Sequence, residues 1–159
     1  MNELNETNDA GVRRLVERFA LLLAEAGMAR TPARVFACVL AEDSGRLTAG
    51  ELAERLHVSP AAISGAVRYL TQAGVLVRAR EPGERRDHYA VHEHVWPEMF
   101  TTRMAMVRRW EQAMAEAVEL LGTDRPAGRR LQETREFFAF MQEELPELLR
   151  RWEERRANR

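Results

Sequence analysis

The sequence predicts a mainly helical protein with one small β-hairpin, and three observations predict it. Apolar residues recur at helical steps over most of the 159 residues. A hydroxyl residue followed at once by proline, the signature of a helix start, occurs at Thr31-Pro32 and again at Ser59-Pro60. Only one stretch, 75–92, places β-prone residues on both sides of a Pro-Gly turn. Hydrophobic residues at 45%, charged residues at 31%, and only 9 Gly and 6 Pro fit a folded chain and exclude disordered, collagen-like and loop-rich secreted classes.

The elements follow in order. Met1 to Asn8 is polar, lacks periodicity and is expected to fray. Leu15, Val16, Phe19, Leu22, Leu23 and Ala26 then trace an amphipathic helix ending near Gly27. Thr31 is the expected N-cap of a second helix, with Val35, Phe36, Val39 and Leu40 on its buried face and a stop around Asp43-Ser44-Gly45. Thr48-Ala49-Gly50-Glu51 reads as a capping box opening a short third helix with Leu52, Leu56 and Val58 inward. Ser59-Pro60 opens the fourth, whose Ile63, Val67 and Leu70 share a face and whose Gly74 sits where a C-terminal glycine belongs. Two short helices joined so tightly form a helix-turn-helix.

Val75 to Arg80 and Asp87 to His92 flank Glu81-Pro82-Gly83-Glu84-Arg85-Arg86, which makes a hairpin, and a hairpin in this position is a wing. Trp96, Phe100, Met104, Val107, Trp110, Met114, Val118 and Leu121 form one further helical stripe, and Leu131, Phe137, Phe138, Met141 and Leu145 another. Pro146 is expected to kink or restart that last helix before Leu148, Leu149 and Trp152. The expected organisation is 1–29, an N-terminal dimerisation helix with a frayed start; 30–94, a winged helix-turn-helix; and 95–159, C-terminal dimerisation helices. Long helices with wide apolar faces at both ends of the chain point to a homodimer, since a monomer would expose those faces, with a self-contained helical bundle as the alternative.

The block from Arg30 to His94, about two-fifths of the chain, resembles the winged helix-turn-helix of the MarR family, and within it the GbsR-like branch. Leu47-Thr48-Ala49-Gly50-Glu51-Leu52-Ala53 resembles the helix before the recognition helix, Val58-Ser59-Pro60-Ala61-Ala62-Ile63-Ser64 the start of the recognition helix, and Gly83-Glu84-Arg85-Arg86-Asp87 the wing. The resemblance implies a dimeric transcriptional regulator, often a repressor, whose affinity for DNA changes when a small molecule binds.

The residues support a DNA face independently. With Ile63, Val67 and Leu70 inward, the fourth helix turns Ala61, Ser64, Gly65 and Arg68 outward, toward a major groove. Arg68 is the candidate for base or phosphate contact. Ala61 and Ala62 offer methyl contact to thymine, Ser64 one undiscriminating hydroxyl, and Gly65 only close backbone approach. Direct readout is therefore expected to be sparse, with groove shape and the wing carrying more of the recognition. Arg85 and Arg86 at the wing are candidates for a narrow minor groove, with Asp87 orienting one of them. Thr48 and Ser59, with Pro60 at the helix start, are candidate phosphate anchors as well as caps. The net charge of −1 advertises no nucleic acid, so the attraction must be local, and every one of the 24 basic residues is arginine. That neutral total also leaves open a winged-helix module that binds protein instead of DNA.

Other chemistry has little footing. No serine elbow, phosphate-binding glycine loop, Cys-x-x-Cys pair or His-Glu-x-x-His helix is present, so no catalytic residue and no cofactor is expected. His88, His92, Glu93 and His94 are the only metal-like cluster. Same-face strand positions lie about 6.6 Å apart, too far for three histidines to reach one ion, so no metal site is expected. Cys38 lies among apolar residues and reads as a buried small hydrophobe. Trp96, Phe100 and Trp110 are candidates for an effector pocket, where aromatic faces suit a quaternary ammonium such as choline or betaine, a ligand suggested by the GbsR-like resemblance. The alternative, and the commoner role of such a stripe at helical spacing, is plain core or dimer interface. Phe19 to Ala24 is too short to span a bilayer, no secretory signal is evident, and a cytoplasmic location is expected.

Overall fold

The computed structural model describes residues 2–80 and 86–158, with side chains from Ala10 onward. Among the described residues, six helices and three short strands run in the order α1 (Asn2–Glu25), α2 (Arg30–Leu40), β1 (Arg46–Thr48), α3 (Ala49–Leu56), α4 (Pro60–Gln72), β2 (Leu76–Ala79), β3 (His88–Val91), α5 (Val95–Leu121) and α6 (Pro126–Ala157). They fall into two compact units, 1–95 and 96–159.

The first unit is built around α2, whose Ala33, Val35, Phe36, Ala37, Cys38 and Val39 are all buried. Such an all-round apolar helix is stable only as the centre of a core, and here α1, α3, α4 and β3 pack on it. Val16, Ala20 and Leu23 of α1 face α2, and the Phe19 and Phe36 rings meet at 6.4 Å. Leu47, Leu52, Ile63, Leu70 and Leu76 complete the core. Each such side chain contributes about 1.5–3 kcal/mol through burial.

Several helix ends differ from the sequence expectation. α1 begins at Asn2, so the polar stretch expected to fray is helical. α2 begins before Thr31, with Ala29 as its N-cap and no side-chain cap bond. Pro32 is tolerated because its position lies within the first turn, ahead of the first intrahelical donor, Ala33 N–H, which bonds to Ala29 O at 2.9 Å. α6 neither ends nor restarts at Pro146 but runs through it.

The remaining signals match. Thr48 forms a complete capping box with Glu51. The Ser59 hydroxyl accepts from Ala62 N–H, with Pro60 at the first helical position. At the end of α4, Val75 N–H bonds to Leu70 O and Gly74 N–H to Thr71 O, with Gly74 at φ +70, a Schellman turn. β1 was not expected: three residues pair antiparallel with β3, giving the sheet order β1-β3-β2.

The second unit is a helical hairpin. α5 and α6 are about 40 and 48 Å long at 1.5 Å per residue. Gly122 turns the chain at φ +68. Gly128 lies against that turn so closely that a Cβ on it would stand 1.8 Å from Gly122 O. Trp110 packs on Phe138 with centroids 5.6 Å apart, and Arg135 Nε donates to Glu111 Oε1 at 2.9 Å. Much of the apolar surface of this unit is open, including Phe100, Met106, Leu120, Phe137, Phe140 and Trp152.

Candidate nucleic-acid interface

α3 and α4 are joined by His57-Val58-Ser59, and the sharpness of this turn has a visible cause. His57 adopts the left-handed conformation at φ 51, ψ 47, and Val58 N–H and His57 N–H bond back to Ala53 O and Glu54 O. A glycine is the usual occupant of such a position, and here a histidine takes it, so the left-handed turn residue itself carried no signal in the sequence.

From this turn α4 presents its open face. Ile63, Ala66, Val67 and Leu70 are buried, while Pro60, Ala61, Ala62, Ser64 and Arg68 are exposed and Gly65 is half-exposed. The outward set expected from periodicity is thus brought onto one side of one helix. Three more residues of α4 share this exposure, Tyr69, Thr71 and Gln72. Tyr69, absent from the expected outward set, is 49% exposed. A Cβ added at Gly65 would meet nothing within 4 Å, so packing does not require glycine there.

Ser59 is exposed at the start of α4. Its oxygen accepts from Ala62 N–H at 3.3 Å, which leaves its hydroxyl hydrogen available as a donor. Thr48 is different. It is buried, its hydroxyl donates to Glu51 Oε2 at 2.8 Å, and its backbone N–H donates to the same oxygen at 2.7 Å. Both groups are committed to the capping box, so Thr48 holds α3 and is not a free phosphate anchor. These two bonds to Thr48 hold the Glu51 carboxyl below its ordinary value.

On the wing, Arg86 is exposed, while Glu81, Pro82, Gly83, Glu84 and Arg85, including the expected Pro-Gly turn, lie outside the described residues. Asp87 engages Arg78 and, at 3.2 Å, Arg80 Nε; the expected pairing with Arg85 lies outside the described residues. The register explains this. Ala79 pairs with His88, so Arg80 lies opposite Asp87 and Arg78 lies diagonally on the same face. The hydrogen bond from Arg78, then the charges of Arg78 and Arg80, outweigh desolvation and hold the Asp87 carboxyl below its ordinary value. Arg78 and Arg80 are exposed, at 57% and 65% of their side-chain surface. They were missed by attention to the loop tip, although counting back along the hairpin would have found them.

The other candidates separate. Trp96, Phe100 and Trp110 all lie on α5 and are all exposed. Trp96 and Phe100 are one turn apart, but Trp110 is about 15 Å further along the helix, where it packs on Phe138. A single small ligand does not touch all three on one copy. His94 N–H donates to His92 Nδ1 at 3.2 Å, and among the described residues no group of three metal-ligating side chains converges. Cys38 is buried, and burial pushes its thiol up from the ordinary value, unlike a reactive thiolate. No helix among the described residues is long and apolar enough to cross a membrane.

A helix-turn-helix whose second helix offers an open face, followed by a two-stranded arginine-bearing wing, defines the class of winged helix-turn-helix DNA-binding regulators. Comparison with known proteins agrees. Residues 26–87 match the MarR family, and residues 94–155 match a family described as MmpR5-like MarR family transcriptional regulator. The chain is 25% identical over 145 residues to the HTH-type transcriptional regulator MmpR5 of Mycobacterium tuberculosis, spanning 91% of this chain and 88% of that protein. A crystal structure described as a transcriptional regulator, 24% identical, has the same fold with a TM-score of 0.71 over 91% of this chain and 99% of that one. The chain belongs to the MarR family of winged-helix transcriptional regulators.

Proposed function

We propose that the protein is a homodimeric repressor that binds a pseudopalindromic duplex, with α4 of each copy in a major groove and each wing over a flanking minor groove. The observation that carries this is the open face of α4, with Ser59 and Pro60 at its start and Ala61, Ser64, Gly65 and Arg68 along it, in the same compact unit as the exposed wing arginines Arg78, Arg80 and Arg86. The basic groups supply phosphate attraction that a net charge of −1 hides. Half-sites should sit about one helical turn apart, near 34–36 Å. Action on chromosomal DNA implies a cytoplasmic location.

Dimerisation is supported by apolar surface that neither unit covers. Besides the buried face of α1, Val12, Leu15 and Leu22 form a second, exposed stripe at heptad-like spacing. Phe137, Phe140, Leu148 and Trp152 of α6 are likewise open. A second copy would cover both sets by symmetry.

A response to a small molecule is part of the proposal. The GbsR-like placement rests on residues 47–53, 58–64 and 83–87 and favours a quaternary ammonium ligand near the aromatic residues of α5. The MmpR5-like match of residues 94–155 is the rival placement. Release of bound DNA by choline or betaine would favour the first, and indifference to both would remove it.

The test is selection of sheared genomic DNA on the purified protein, then anisotropy titration of the selected duplex at two salt concentrations. An inverted repeat bound as a dimer, with affinity falling steeply as salt rises, is the expected result. Arg86→Ala should weaken binding to all sequences and reduce the salt slope, whereas Arg68→Ala should relax preference at one position, or act as Arg86→Ala does if it grips phosphate. No enrichment at low salt would replace this reading with a protein-binding module, for which the small exposed residues Ala61 and Ala62 and the exposed Tyr69 would form the surface.

A further inference from the structure

We infer that Arg34 of α2 is a positioning residue for DNA reading, tying α1 to the end of α3 and thereby fixing the direction in which α4 leaves the turn. The inference rests on the proposed role of α4. Arg34 Nε and Nη2 donate to Glu17 Oε1 at 2.8 and 2.6 Å, and Nη2 also donates to Leu56 O at 3.0 Å. One guanidinium thus joins three helices, with partners 17 and 22 residues away.

The carbonyl it holds is placed for leverage. Leu56 is the last residue of α3, and its oxygen is one of the four that a helix C-terminus leaves without an intrahelical donor. The two turn donors are already used, His57 N–H on Glu54 O and Val58 N–H on Ala53 O. Arg34 therefore grips the last peptide before the left-handed His57. Only Val58 and Ser59 separate that residue from α4, so a small rotation at Leu56 carries directly into the recognition helix. At its other end Arg34 grips α1, the helix whose outer stripe faces the second copy in the proposed dimer. Two recognition helices must match the groove spacing of one duplex, so an error in this tie appears as a misplaced half-site.

The pair itself contributes little to folding. Glu17 is half-exposed and Arg34 is 23% exposed, and ion pairs at such sites are screened by water and salt. Positioning and stability are therefore separable.

The experiment uses the full-length protein with Arg34→Gln, Glu17→Gln and both together. Each is titrated against the selected operator, a scrambled duplex of equal length, and operators with one base pair added or removed between half-sites, alongside thermal melts. Arg34→Gln should lower operator affinity by roughly fivefold or more while affinity for the scrambled duplex holds, and should blunt the spacing preference. Glu17→Gln should show a smaller loss, and the double variant should match Arg34→Gln alone because both act through one tie. Equal loss on operator and scrambled duplexes, no loss on either, or multiplicative losses in the double variant would overturn the inference. If Arg34→Gln does not fold, Glu17→Gln decides alone: an unchanged operator-to-scrambled ratio and spacing preference refutes the tie. A wild-type protein that retains no duplex defeats the DNA-reading proposal and this inference together. Wild-type binding with unaffected variants defeats only the inference.

Discussion

Replacing Gly65 by alanine pits fold against function. Gly65 lies in the interior of α4, where a glycine costs about 0.5–1 kcal/mol relative to alanine through its extra freedom in the unfolded chain. The added Cβ meets nothing within 4 Å, so nothing in the protein opposes that gain. The melting temperature should rise by about 1–4 °C for a chain of this size. On DNA the sign reverses if bare backbone is what the groove receives. A methyl forced into a close contact costs about 1–3 kcal/mol, or a roughly 5- to 150-fold loss of affinity. A thermal melt and an anisotropy titration on the selected duplex, both on Gly65→Ala, make the comparison. A more stable variant that binds as well as the wild type would refute close approach at Gly65, and a less stable one would refute the packing argument.

The left-handed His57 predicts that His57→Gly stabilises the fold by about 0.5–1 kcal/mol, because glycine adopts that conformation without the Cβ clash; a lower melting point would contradict this. Gly128→Ala puts a Cβ 1.8 Å from Gly122 O, which the turn must open to accept, so urea denaturation should show a loss of about 1–3 kcal/mol. Thr48→Ala removes the hydroxyl half of the capping box, leaving the backbone N–H bond to Glu51, and should cost about 1 kcal/mol near neutral pH. Because the Glu51 carboxyl is held below its ordinary 4.5 by Thr48, that stabilisation is complete above the unfolded value and fades as pH falls through the folded one. The gap between wild type and Thr48→Ala should therefore narrow below about pH 4.5 by the hydroxyl's share alone, and a gap constant down to pH 3 would exclude the hydroxyl–carboxylate bond, the backbone N–H bond to Glu51 being common to both proteins.

The parts of the fold legible in the sequence are those fixed by local chemistry. The Thr48-Glu51 capping box, the Ser59-Pro60 start and the Gly74 stop each satisfy backbone groups within a few residues, so their spacing is visible without knowing the fold. Periodicity found the inward face of α4 for the same reason. It could not divide α1, where both Val16 and Leu15 fit a helical repeat but only Val16 faces α2. Which of two apolar stripes is buried depends on the partner, and for a helix that meets its own chain on one side and, as proposed, a second copy on the other, both stripes are required.

What stayed hidden is what distant pairing creates. β1 exists because β3 pairs with it; three residues carry no strand signal of their own. Arg34 looks like an ordinary polar position on α2, and only the meeting of α1, α2 and α3 gives it Glu17 and Leu56 as partners. The wing lies between these extremes. A net charge of −1 says nothing of where the arginines stand, but a hairpin register is arithmetic, and Ala79 opposite His88 puts Arg80 opposite Asp87. Asp87 then has a function that the loop sequence does not suggest. It pairs with Arg78 and Arg80, placing two guanidinium groups on one face of the wing and offsetting one unit of their charge. Such an arrangement lowers attraction to DNA in general and raises the penalty for a groove of the wrong shape. On the proposed DNA face, that pairing complements a helix carrying methyl groups, one hydroxyl, one bare backbone, one arginine and the exposed Tyr69 and Gln72.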